Sequence, residues 1–182
     1  MSANIVALIP AFEPSEMLIG LVEELIKNQV DVVVVNDGSS TVCASVFERI
    51  SELTTVLAHE QNRGKGCALK TGLSYILEHF AEGCVVVTLD ADGQHSVPDS
   101  LAVAYAAAEN PGCLTLGSRA FDGEVPLRSR FGNTVTRFVY RTFTGVKVYD
   151  TQTGLRAFGY ELIPFMLGIP GERYEYEMNV LM

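Results

Sequence analysis

At 182 residues, 48% hydrophobic and 19% charged, the chain can bury the core of one domain, and its composition excludes a disordered or low-complexity protein. A net charge of −9 argues against a general nucleic-acid binder. The opening Met1-Ser2-Ala3-Asn4 has no basic region and no long apolar run, so neither a signal peptide nor a transmembrane helix is expected there. Cys43, Cys67, Cys84 and Cys113 form no Cys-x-x-Cys pair and lie in or beside apolar segments, which reads as buried free thiols in a reducing compartment.

In chain order, Asn4 to Ile9 is an apolar strand closed by Pro10. Ser15 can cap a helix to about Asn28, with Leu18, Leu21, Val22, Leu25 and Ile26 on one face. Val30 to Val35 is a second buried strand that ends in Asn36-Asp37-Gly38-Ser39-Ser40, and Thr41 opens a helix through Val42, Val46, Ile50 and Leu53. Thr55 to Ala58 is a short strand, and the loop Glu60 to Gly66 leads into a helix from Cys67 to Phe80. The run from Val85 is apolar without alternation, as in a central strand of a parallel sheet. Pro98 begins an alanine-rich helix to Asn110, and Cys113 to Leu116 is another strand. This strict β-α alternation predicts a mostly parallel sheet with helices on both faces and right-handed crossovers, an α/β single domain. After Arg119 the rhythm breaks: a charged loop to Arg128, a helix from Ser129 to Phe143, short strands between Gly145 and Ala157, and a short helix from Tyr160 to Leu167. Tyr174 to Met182 reads as a helix without a cap, so the natural chain is expected to continue.

At the tip of the central strand stands Asp90-Ala91-Asp92-Gly93-Gln94-His95. Residues i and i+2 of an extended segment face one side, so Asp90 and Asp92 can converge on one target. Two close carboxylates invite a hard divalent cation, Mg²⁺ or Mn²⁺, with a diphosphate beyond it, and Gln94 or His95 is near enough to add a neutral ligand. Polar groups also follow the other strands: Pro10 and Glu13, Asn36 and Asp37, Ser118 and Arg119. That is the edge at which an open α/β sheet takes its ligand. Asp37 could accept the imide N–H of a uracil or the amidine edge of a guanine, Asp90 could take ribose hydroxyls, and the metal would join Asp92 to the diphosphate. His59 and His79 read as surface or flanking residues. Eight of the thirteen Lys and Arg residues lie between Arg119 and Arg173, which suggests an anion site. Other chemistries are missing: there is no GxGxxG, no GxxxxGK[ST], no HExxH, no zinc spacing and no GxSxG.

Five ordered motifs carry a resemblance: Val35-Asn36-Asp37-Gly38-Ser39-Ser40, Asn62-Arg63-Gly64-Lys65-Gly66, Asp90-Ala91-Asp92-Gly93-Gln94-His95, Gly117-Ser118-Arg119 and Asp150-Thr151-Gln152-Thr153-Gly154-Leu155-Arg156. Over nearly its whole length the chain resembles the family-2 inverting glycosyltransferases of the Rossmann-like GT-A fold, in the branch of polyprenyl-phosphate (dolichol-phosphate-like) sugar transferases. It departs at Pro10-Ala11-Phe12-Glu13-Pro14, where many members have Tyr-Asn-Glu and this chain keeps Glu13 but not the Asn, and at Ser40-Thr41, where an aspartate is frequent. The resemblance implies that Pro10, Ala11, Glu13 and Asp37 hold base and ribose, with Arg63, Gly64 and Lys65 closing that pocket. It implies that Asp90, Asp92 and Gln94 hold the metal and diphosphate, and that Arg119, Arg128 and Arg130 face phosphate groups. Asp150 and Gln152 would lie beside the transferred sugar. Residues 1–118 would then form the nucleotide-sugar half of the domain and 119–182 the acceptor half, followed by a membrane-associated segment. The expected activity is transfer from a UDP- or GDP-sugar to a polyprenyl phosphate at the cytoplasmic face of a membrane, for envelope glycan or glycoconjugate synthesis. A sugar-hydroxyl acceptor is the rival, and it would need a carboxylate base such as Asp150 or Glu175. A sugar nucleotidyltransferase and a non-catalytic nucleotide-binding module are the more distant alternatives.

Overall fold

The computed structural model describes residues 4–117 and 154–182. Among these, six strands form one sheet in the order β3-β2-β1-β4-β6-β5: β1 (Ile5–Ala11), β2 (Asp31–Asn36), β3 (Thr55–Ala58), β4 (Val85–Thr88), β5 (Thr115–Leu116) and β6 (Arg156–Gly159). The β1–β2, β1–β4 and β2–β3 pairs are parallel, whereas β6 runs antiparallel to both β4 and β5. β-α alternation alone would seat β5 against β4. Instead β6, from the far end of the chain, takes that place and pushes β5 to the edge.

β1 extends to Ala11, past the expected stop at Pro10. Pro10 pairs with Val35 of β2, but the ladder to β4 ends at Leu8↔Thr88, so the missing proline N–H deprives no partner. The strands are apolar on both faces because helices cover both. On one face α1 (Met17–Lys27), α2 (Ala44–Ser51) and α4 (Val97–Glu109) pack on Ile5, Ala7, Ile9, Val32, Val34, Val85 and Val87. On the other, α3 (Lys65–His79), α5 (Ile163–Gly168) and α6 (Tyr174–Asn179) pack on Val6, Leu8, Val33, Val35, Val86 and Phe158. The alternation of neighbouring strand residues between the two cores is the period of two written into the chain.

Several local expectations change. α1 starts at Met17, and Ser15 Oγ accepts from the Met17 amide at only 3.4 Å. Thr41–Cys43 forms a 3-10 turn before α2, which rotates Val42 outward to 85% exposure. Leu53 and Ile26 are also exposed. α4 is capped by Ser96, whose Oγ accepts from the Asp99 amide at 3.2 Å and donates to the Asp99 carboxylate at 2.6 Å. Cys43 and Cys84 are buried and Cys67 half-buried, but Cys113 is exposed, because β5 begins only at Thr115.

Candidate active site

The carboxyl ends of β1, β2 and β4 open into a cleft of about 1100 Å³. The sheet supplies Pro10 and Ala11 at the end of β1, Glu13 just past it, Asp37 after β2, and Asp90 and Asp92 after β4, while Gly64 and Lys65 come from the start of α3. The C-terminal stretch closes the far side with Arg156, Arg173, Tyr174, Glu177 and Met178. Parallel strands point their ends in one direction, which is why residues far apart in sequence meet here.

Asp37 is almost fully buried, at 3% exposure, and organises the loop before α3. Its Oδ1 accepts from the Arg63 amide at 2.9 Å and its Oδ2 from the Gly64 amide at 2.8 Å. His59 Nδ1 lies 2.7 Å from Oδ1, and His59 Nε2 lies 2.9 Å from Thr71 Oγ1. The His59 side chain is therefore interior, not at the surface as its polarity suggests: two residues past Leu57 in the strand direction, it faces α3 as Leu57 does. Gly64 has φ +100°, and a Cβ there would meet Arg173 Cγ at 2.5 Å and Glu172 O at 2.6 Å. Only glycine serves both the left-handed turn and the close approach of the C-terminal stretch.

Asp90 and Lys65 form the electrostatic centre. Lys65 Nζ lies 2.7 Å from Asp90 Oδ1 and 2.9 Å from Glu177 Oε2, and Arg156 reaches the Glu177 carbonyl at 2.8 Å and its carboxylate at 3.9 Å. Burial pushes the Asp90 carboxyl up, but the His95 imidazole and the Lys65 ammonium outweigh it and hold it well below the usual carboxylate range. Burial likewise pulls Lys65 down, and the Glu177 and Asp90 charges outweigh that and raise it. Arg156 is itself 4% exposed in a strand, and its carbonyl and carboxylate contacts with Glu177 help make that position tolerable.

Asp92 is exposed; its Oδ1 accepts from the Gln94 amide at 3.0 Å and its Oδ2 from Gln94 Nε2 at 2.7 Å. Among the described residues no three His, Cys, Asp or Glu side chains form a ready metal cage. The fit to Mg²⁺ or Mn²⁺ therefore rests on hard carboxylate oxygens at the cleft, open at Asp92 and shared with Lys65 at Asp90. Gln94 orients Asp92 and is not among the residues lining the cleft, and Arg63 contributes its backbone to Asp37. Glu13, with φ +49°, turns its carboxylate away to Ser40: the Ser40 amide donates at 2.6 Å and the Ser40 hydroxyl at 2.9 Å. Its chief contact is thus the start of the Thr41–Cys43 turn, and the Ser40 hydrogen bonds hold its carboxyl below the usual range.

Gly154 comes so close that a Cβ would sit 2.2 Å from Asp90 Oδ2. With Asp90 pinned by Lys65, that contact cannot relax cheaply. Gly154→Ala is expected to lose about 2 kcal/mol, the range for overpacking a fixed site, read as a lower thermal midpoint, whereas Gly20→Ala, which meets nothing within 4 Å, should not lower it.

Ser118, Arg119, Arg128, Arg130, Asp150 and Gln152 lie outside the described residues. Glu175, the possible base, accepts instead from the backbone amides of Glu172 and Arg173, and it is Glu177 that lines the cleft. The roles of Glu177, Arg173 and Tyr174 escape sequence reading because nothing in local spacing links them to Lys65. The quoted Gly154-Leu155-Arg156 motif did contain one signal, a charged residue inside an apolar run.

Comparison with known proteins adds the following. The family described as Glycosyl transferase family 2 matches residues 6–167. The Uncharacterized protein MJ1222 of Methanocaldococcus jannaschii is 33% identical over 178 residues, covering 94% of this chain and 72% of that protein. The UDP-N-acetylglucosamine--dolichyl-phosphate N-acetylglucosaminyltransferase of Methanococcus voltae is 29% identical over 171 residues, covering 83% of this chain and 67% of that protein. Among solved structures, glucosyl-3-phosphoglycerate synthase from Mycobacterium tuberculosis, in complex with Mn²⁺, UDP and phosphoglyceric acid, aligns with TM-score 0.71 at 20% identity, over 99% of this chain and 63% of that one. A mannosyltransferase from Pyrobaculum calidifontis, in complex with GDP-Man and Mn²⁺, aligns with TM-score 0.53 at 24% identity, over 93% of this chain and 48% of that one. This chain thus spans about half to two-thirds of the length of those structures.

Proposed function

The chain belongs to glycosyl transferase family 2 and is a glycosyltransferase of the GT-A fold, and on that premise we propose that it moves a sugar, with inversion, from a nucleoside-diphosphate donor to a polyprenyl phosphate. The observation that carries the donor side is the single cleft in which Asp37, Lys65, Asp90 and Asp92 meet. The acceptor side is supported by the dolichyl-phosphate transferase of Methanococcus voltae and by the arginines Arg119, Arg128 and Arg130.

Asp37 presents its remaining acceptor capacity to the base: each of its oxygens already binds the loop, and Oδ2 has accepted only one amide. Pro10 and Ala11 form the floor beneath base and ribose, and Asp90 faces the ribose hydroxyls. Mg²⁺ or Mn²⁺ at Asp92 and Asp90 would supply Lewis-acid neutralisation of the leaving diphosphate. Lys65 adds a fixed positive charge beside that position, held by Asp90 and by Glu177, which Arg156 binds in turn. A phosphate acceptor has a second pKa of about 6 and is mostly dianionic at neutral pH. It therefore needs orientation and charge screening more than a base. Arginine forks match phosphate geometry, which assigns Arg119, Arg128 and Arg130 to the acceptor, with Asp150 and Gln152 beside the sugar. No helix among the described residues is long and apolar enough to cross a membrane.

The test pairs UDP- and GDP-sugars with undecaprenyl or dolichyl phosphate and with sugar acceptors. Arg128→Ala with Arg130→Ala should raise the KM for lipid phosphate about tenfold or more, as loss of charge-assisted contacts does, with donor binding within about twofold. Equal loss of both removes the acceptor assignment. Transfer to sugar hydroxyls alone replaces the lipid.

A further inference from the structure

We propose that His59 is a positioning residue of the nucleotide cleft: it fixes the Asp37 carboxylate, and through it the Arg63 and Gly64 amides, in the arrangement that receives the base. The proposal rests on the reading of Asp37 as the base acceptor and extends it one layer inward.

The ring is placed by the sheet. His59 follows β3, and its amide donates to the Asn36 carbonyl at 2.9 Å, carrying the β2–β3 ladder one residue further. Both the His59 and Asp37 side chains are 5% exposed, so their 2.7 Å contact is made away from water, where geometry is strictly enforced. Asp37 accepts two backbone amides, which marks it as the acceptor, and Nδ1 therefore donates to it. In the neutral ring Nε2 then accepts the Thr71 hydroxyl at 2.9 Å. Thr71 lies inside α3, where a threonine hydroxyl ordinarily bonds back to its own helix. Here it reaches the ring and holds it from the side opposite Asp37. The loop amides and the ring thus hold the same carboxylate, with the Arg63 amide and Nδ1 sharing Oδ1. A packing role alone would be served by an apolar residue without the cost of burying an imidazole.

Two amide substitutions separate bracing from space-filling. On the same backbone, the asparagine amide nitrogen falls near the position of Nδ1 and the glutamine nitrogen near that of Nε2. His59→Asn thus keeps the donation to Asp37, and His59→Gln keeps only the reach to Thr71. Binding of UDP and GDP in the presence of Mn²⁺ should weaken about tenfold in His59→Gln and stay within about twofold in His59→Asn, the scale of one hydrogen bond to a charged group. Trypsin cleavage after Arg63 should quicken about tenfold in His59→Gln alone, since cleavage follows the open population of the loop. A space-filling residue gives the reverse order, because glutamine is nearer imidazole in volume. Glutamine equal to or better than asparagine in both measurements overturns the proposal. Asp37→Ala is measured alongside: unchanged nucleotide affinity there removes the base-pocket reading, and the trypsin order then decides His59 alone. Should both His59 variants fail to fold, Thr71→Val leaves the ring but removes its outer hold, and unchanged cleavage after Arg63 overturns the proposal.

Discussion

Lys65→Met is expected to lower stability by about 2 kcal/mol. Removing one partner of a buried ion pair costs about 3–5 kcal/mol, and the figure is reduced here because the Lys65, Asp90 and Glu177 side chains keep 19%, 31% and 14% exposure. Methionine preserves the stem, so the loss reports on two carboxylates left facing each other without their shared cation. The effect has a pH signature. In the fold Asp90 is held below its ordinary value, so its contribution is present above the unfolded carboxylate pKa of about 4 and fades as pH falls further. Lys65 is raised, so its contribution is complete below its ordinary value of about 10.5 and is lost as pH climbs through the folded value. The difference between wild type and Lys65→Met should thus be level from about pH 5 to about pH 10 and narrow in more acid solution. Denaturant titrations across that range measure it. A difference that grows below pH 4 would contradict the pairing.

Asp92→Ala should act almost wholly on turnover. The side chain is exposed and its visible partners are both on Gln94, so the fold should lose less than about 1 kcal/mol, the scale of exposed hydrogen bonds. If Asp92 carries the cation that neutralises the leaving diphosphate, turnover should fall about 10³-fold, in line with removal of a group aimed at developing charge. Nucleotide binding measured by calorimetry should then stop responding to Mn²⁺. Full wild-type turnover in excess chelator would defeat the metal reading outright.

How legible all this was depends on how local each feature is. Val32 to Val35 and Val85 to Val87 announce strands buried on two faces because β-branched runs without alternation fit nothing else in so short a span. Thr55–Ala58 appears in the structure at the bounds its sequence suggested. Asp37, Asp90 and Asp92 were found because a carboxylate just past such a run must lie at the sheet's carboxyl edge. The remainder is nonlocal. β6 is four residues with an arginine among them, and it makes sense as a strand only once Glu177 is known to lie beside it. His59 gave no signal because its partners, Asp37 and Thr71, belong to other elements. Glu13 lines the cleft, but the positive φ that turns its carboxylate to Ser40 cannot be read from a Phe-Glu-Pro sequence.

The insertion of β6 between β4 and β5 also bears on how the protein is made. About 70 residues separate Thr88 from Gly159, so a ribosome adding roughly 5–20 residues per second leaves the β4 edge bare for several seconds. Throughout that interval the nascent chain presents a short, valine-rich edge with open amides and carbonyls, the kind of template that recruits strangers. Emergence of β6, not of the first half of the sheet, is the event that covers the β4 edge.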